Sequence, residues 1–114
     1  MTEKQLETKI KTLLQKNNIS YIKIFANAFQ GAGLADLLIF NKYICYALEL
    51  KTDLFRNKPT KIQIATALKH QNNIIYLFCD QWNWNEIIND ILKGNHAKLK
   101  HLSKKQLEYF KTQL

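Results

Sequence analysis

The chain has 114 residues, 46% hydrophobic and 23% charged, a balance that fits one globular domain and excludes a disordered segment or a coiled coil. Seventeen Lys and Arg against 9 Asp and Glu give a net charge of +8, so the expected partner is a polyanion, nucleic acid before membrane; the plainer alternative is a lysine-rich face kept for solubility. Cys45 and Cys79 are too few and wrongly spaced for a disulfide scaffold or a zinc site, and no apolar run reaches the ~18 residues of a membrane span.

Thr2 and Gln5 form a capping box, and Leu6, Ile10, Leu13 and Leu14 recur at helical spacing until Asn17 and Asn18. This charged amphipathic start is no signal peptide, which points to a soluble domain in a reducing cytoplasm, bacterial or that of a phage's host. Residues 21–26 alternate and read as a strand, and residues 30–33 form a turn around Gly31 and Gly33. Two more strand-like runs, 35–40 and 43–51, are separated by Asn41 and Lys42, the commonest hairpin loop length. After a loop at 52–58, Pro59 suits the first turn of a helix that runs to about His70. Residues 73–79 form an apolar run expected as a buried strand. Asn83 with Glu86 opens a third helix through Leu92, and Ser103 with Gln106 opens a short fourth one. The order α-β-β-β-α-β-α-α predicts an α/β fold, a mixed sheet flanked by helices, in a single domain over 1–114. Its core spans about 2–80, and 81–114 is a helical, basic C-terminal extension.

The hairpin carries the chemistry. With Asn41 and Lys42 as the loop, Phe40 faces Tyr43, Leu38 faces Cys45 and Asp36 faces Ala47. Asp36, Glu49 and Lys51 then project from one side of the sheet, opposite the apolar Leu37, Ile39, Tyr46, Leu48 and Leu50. Asp36 and Glu49 become diagonal neighbours with Cβ atoms roughly 7 Å apart. Two acids beside buried apolar strands are costly unless partnered, and a hard cation such as Mg²⁺ with oxygen ligands relieves that cost. Such an ion activates water for attack on a phosphodiester, and Lys51 is placed to orient or deprotonate that water or to neutralise the developing charge. The alternative is that Asp36 caps a strand end while Glu49 and Lys51 form a surface ion pair.

The run from Gly31 to Lys51, GAGLADLLIFNKYICYALELK, resembles the heart of the PD-(D/E)xK nuclease superfamily, closest to its VRR-NUC branch and the Holliday-junction-resolvase relatives. Asp36 matches the family's first acid, Glu49 and Lys51 its E-x-K, and Gln63 its helical glutamine. The chain departs at Ala35, where the family usually has proline. The resemblance covers roughly residues 7–79. It implies a restriction-endonuclease-like core, Mg²⁺ (with Mn²⁺ substituting) held by Asp36, Glu49 and the Leu50 carbonyl, and a homodimer acting on branched or four-way-junction DNA. It also implies a first-helix glutamate near the metal, for which Glu7 is favoured over Glu3; the other reading of Glu7 is a first-turn acid complementing the helix dipole. Gln63 has its own alternative, because Thr60 and Gln63 make a capping box.

Arg56, Lys58 and Lys61 flank the E-x-K strand as candidate phosphate contacts or solvated groups, and Lys98, Lys100, Lys104 and Lys105 are candidates for a second grip on the DNA backbone. Gly31 and Gly33 suit a phosphate approach or an ordinary turn. Trp82 and Trp84 are expected to pack the third helix, with base stacking the rival role. His70, His96 and His101 are expected to be solvated and Cys45 to fill core. The leading expectation is a Mg²⁺-dependent, structure-selective endodeoxyribonuclease; the alternative is an inactive nucleic-acid-binding or assembly module on the same fold.

Overall fold

Thr2 caps the first helix, α1 (Glu3–Lys16), by accepting the Gln5 N–H at 3.1 Å, while the Gln5 side chain takes the Thr2 N–H at 2.9 Å. Leu6, Ile10 and Leu14 form its buried stripe, and Asn17 and Asn18 end it. The computed structural model describes residues 1–25 and 34–112. The chain continues through β1 (Ser20–Lys23), β2 (Leu37–Asn41), β3 (Ile44–Leu50), α2 (Lys61–His70), β4 (Ile75–Cys79), α3 (Trp84–Lys93) and α4 (His96–Lys111), the expected order. The expected turn at Gly31 and Gly33, and the end of the first strand at Ala26, lie outside the described residues.

The sheet is ordered β1-β2-β3-β4, with the first three strands antiparallel and β4 parallel to β3 after the α2 crossover. Alternation sorts its side chains into two layers. Leu37, Ile39, Tyr46, Leu48, Leu50, Leu77 and Cys79 pack against α1, α3 and Leu99. On the opposite face Ala47, Tyr76 and Phe78 pack against Ile64 and Ala67 of α2 and Leu107 and Phe110 of α4. The last helix therefore contributes to both cores, and α3 to the first. The radius of gyration, 13.1 Å, is that of one folded domain of this length.

Four local expectations are corrected. The hairpin loop is Lys42-Tyr43, not Asn41-Lys42: both loop residues have positive φ (50° and 69°), as in a type I′ turn, and Asn41 pairs with Ile44. Asn41 belongs to the strand because its side-chain amide donates to Ile91 O at 2.8 Å, tying the hairpin to α3. Pro59 precedes the Thr60 cap instead of sitting in the first turn of α2. Asn83 stands at the start of α3 without capping it; its Oδ1 accepts the Asp80 N–H and its Nδ2 donates to Phe78 O. Finally, α4 is a 16-residue helix that begins at His96, and Ser103 lies buried in its middle. The real break is Gly94, which ends α3 in the left-handed region at φ 74°.

His96 also departs from expectation. It is half-buried, stacks on Tyr46 with ring centroids 5.8 Å apart, and its Nδ1 pairs with the Tyr46 hydroxyl.

Candidate functional site

Moving the loop by one residue shifts the hairpin register by two. Leu38 faces Ala47 and Leu37 faces Leu48, so the next step brings Asp36 level with Glu49 rather than diagonal to it. Asp36 itself has left the regular ladder. Its N–H donates to Leu48 O and its carbonyl accepts from Ile24, both at 2.9 Å, while its Oδ2 accepts the Leu50 N–H at 2.7 Å. A carboxylate thus replaces a backbone acceptor at the strand end, which fixes its position. In this sense Asp36 does close a strand end, and it does so beside Glu49.

Glu49 lies on the α2/α4 face and is only 2% exposed. Its Oε1 meets no donor among the described residues. Burial pushes its carboxyl up to about 10; a hydrogen bond with Asp36 and the Asp36 charge push the same way, against a partial pull from Lys51. A carboxyl in that position keeps its proton at neutral pH unless a cation arrives. Glu49 and Lys51 are therefore not a simple surface ion pair: Glu49 is in the interior, and Lys51 is half-buried.

Two more elements close on this pair. From α1, Glu7 is half-buried and binds Lys11 at 2.9 Å as well as Lys23 of β1. The Lys23 ammonium is also 4.0 Å from Asp36 Oδ1, so it links the helix acid to the strand acid. Burial would raise the Glu7 carboxyl, but its two lysines hold it below the ordinary value. Glu3 is exposed, and its charge is felt at Glu49. Tyr76 of β4 is buried nearby; desolvation raises its hydroxyl, and the Glu49 and Asp36 charges add to that.

Lys23 and Tyr76 are members of this group that the sequence motifs do not select. No local pattern marks Lys23: on β1, Tyr21 and Lys23 turn inward while Ile22 is 53% exposed, an inversion of the usual preference. Gln63 is in the capping box, accepting the Thr60 N–H at 2.9 Å through its side-chain oxygen. Among the described residues no three His, Cys, Asp or Glu side chains form a metal-ligating cluster. The acid pair is the nearest approach to one.

The basic candidates Arg56, Lys58, Lys61, Lys98, Lys100, Lys104 and Lys105 are all exposed, and Lys98 pairs with Asp90 at 3.0 Å and Glu86 at 3.3 Å. Trp84 packs against the core as expected, but Trp82 is 71% exposed. Cys45 is half-buried rather than core, and desolvation raises its thiol.

Compared with known proteins, the chain matches no family model, no curated protein and no solved structure.

Proposed function

We propose that this chain is a divalent-cation-dependent endonuclease of restriction-endonuclease-like type that hydrolyses DNA phosphodiester bonds, selecting branched or four-way junctions over sequence and acting as a homodimer. The observation that carries the reading is the buried Glu49 carboxyl, with an Oε1 that lacks a donor, set beside Asp36. Glu49 is buried and Asp36 is half-buried beside it, and placing two acids side by side in that setting gains nothing for stability, so their juxtaposition calls for a cation. The donor set is all oxygen, which suits Mg²⁺ or Mn²⁺. Asp36, Glu49 and the Leu50 carbonyl would hold the ion; when bound, it supplies positive charge to the scissile phosphate and acidifies a water.

The chain's own groups then have defined tasks. The Leu50 N–H anchors Asp36 Oδ2 and so orients the carboxylate. Glu49 would have to lose its proton to solvent to hold a cation. Lys51 orients the attacking water or neutralises charge on the phosphate, and Lys23 sets the positions of Glu7 and Asp36. Exposed Arg56, Lys58 and Lys61 follow the same strand and are suited to the DNA backbone.

A second reading has an observation in its favour. Lys23 already neutralises Glu7 and lies near Asp36, which suits an inactive nucleic-acid-binding or assembly module whose acid pair is structural. A labelled four-way junction incubated with and without Mg²⁺ separates the two. Cleavage that requires the metal and falls at least ~100-fold in Asp36→Ala and Glu49→Ala is the expected result. No cleavage by the wild type, or undiminished cleavage by either variant, overturns the nuclease. Mg²⁺ should also raise the melting temperature, and Asp36→Asn should abolish that rise.

A further inference from the structure

Three exposed aromatic rings converge on one cleft from three separate elements. Phe55 comes from the loop after β3, Trp82 from the turn after β4 and Tyr109 from α4; they are 83%, 71% and 55% exposed. Leu54 and Phe110 line the cleft between them, Lys105 stands at its edge, and its volume is about 430 Å³. Exposing three large rings costs free energy that scattered single side chains do not explain.

The rings are held in place from beneath. Asp80 Oδ2 accepts the Leu54 N–H at 2.9 Å and Oδ1 accepts the Trp82 N–H at 2.9 Å, so one buried carboxylate ties the Phe55 loop to the Trp82 turn. Gln106, one turn before Tyr109, bonds both its side-chain atoms to the Phe78 backbone and fixes α4. Tyr109 in turn packs edge-on against Phe110, with centroids 5.2 Å apart.

We infer that this cleft binds unpaired nucleotides of single-stranded nucleic acid, the bases stacking on Trp82, Phe55 and Tyr109 and the phosphates meeting Lys105 and the neighbouring Arg56. Charge complementarity selects this occupant: the chain carries +8, Lys105 lines the cleft, the Asp80 carboxylate is already taken up by backbone donors, and the Asp53 carboxylate beside the rings accepts the Phe55 N–H at 2.8 Å and the Trp82 indole N–H at 3.5 Å. Aromatic faces accept any base, and the lysine and arginine supply the sequence-independent grip on the backbone. The inference rests on the proposed nucleic-acid partner but not on hydrolysis, and it adds the unpaired strand as the class of ligand.

The test is fluorescence anisotropy in EDTA, where cleavage plays no part, with labelled oligothymidylate, an abasic strand of equal length and a duplex. Oligothymidylate should bind at least about tenfold more tightly than the abasic strand; Trp82→Ala should remove about tenfold of that affinity and Trp82→Phe restore most of it. The exposed position of Trp82 leaves the fold intact, which an unchanged melting temperature checks. Equal binding of the base-bearing and abasic strands, or of wild type and Trp82→Ala, overturns the proposal. So does failure to bind oligothymidylate accompanied by a Trp82-dependent change in sedimentation, which would assign the cleft to protein self-association. A wild type that binds in this way but cleaves no junction would refute the nuclease alone.

Discussion

Gln106 on α4 matches both atoms of its side-chain amide to the backbone of Phe78: Oε1 accepts the Phe78 N–H at 2.9 Å and Nε2 donates to Phe78 O at 2.8 Å. Ser103, one turn earlier, donates to Tyr76 O at 2.6 Å. Strand β4 is the last of the sheet, and these two helix residues supply the partners that a fifth strand would have supplied. Gln106→Leu keeps the volume but strands two buried backbone groups, so it should cost about 2–4 kcal/mol in urea unfolding. The same variant should self-associate more at high concentration, read by sedimentation, because the strand edge is bared.

That arrangement also marks where the sequence is legible and where it is not. Thr2 with Gln5 and Thr60 with Gln63 are true capping boxes, and Ser103 with Gln106 has the same pattern yet serves mid-helix. The difference lies outside the motif, in the left-handed Gly94 that separates α3 from α4. The hairpin loop sits one residue further on for a similar reason, since Asn41 bonds to Ile91 O, fifty positions away in the chain. Strand alternation is local, so the shared face of Asp36 and Glu49 is readable from the letters, but their true register is not. Lys23 enters the site only through the pairing of β1 with β2, which no local pattern contains.

Glu49 makes the stability of the metal-free protein depend on pH. Its carboxyl is raised from 4.5 to about 10, so the folded state holds this proton more tightly than the unfolded one. Stability from this group is greatest below about pH 4.5 and falls as pH rises toward 10. Glu49→Gln mimics the protonated form and should flatten that slope. At pH 7 it should stabilise the apo-protein by about 1–3 kcal/mol, since a tenfold difference in proton affinity between the two states is worth roughly 1.4 kcal/mol. Melting curves across pH in EDTA check this, and a destabilised glutamine variant would contradict it.

Lys23 acts with the opposite sign through Glu7. Because Lys23 and Lys11 hold the Glu7 carboxyl below 4.5 despite its burial, their contribution is present above that pH and is lost as the medium becomes more acidic. Lys23→Met should cost about 1 kcal/mol at pH 7 and less at pH 3, the Glu7–Lys23 pair being only partly exposed. The same variant leaves Asp36 without its cationic neighbour, so Mg²⁺ should raise its melting temperature more than it raises that of the wild type. Calorimetry with and without the metal measures both effects.

Asp80 is 2% exposed and accepts three backbone N–H groups, from Leu54 at 2.9 Å, Trp82 at 2.9 Å and Asn83 at 3.0 Å. It lies just beyond β4, where the chain turns into α3, and it reaches across to the loop that follows β3. Removing it leaves those donors in a buried region without an acceptor, so Asp80→Ala should cost about 3 kcal/mol or more by chemical denaturation. Asp80→Asn retains one carbonyl oxygen and should lose less, because one of the two loop connections can persist. Proteolysis should discriminate further: the alanine variant is expected to be cut first between residues 52 and 60, where the loop has lost its tie to Asp80, while the asparagine variant resists. Equal resistance in both variants would mean that the Leu54 bond contributes little to holding that loop.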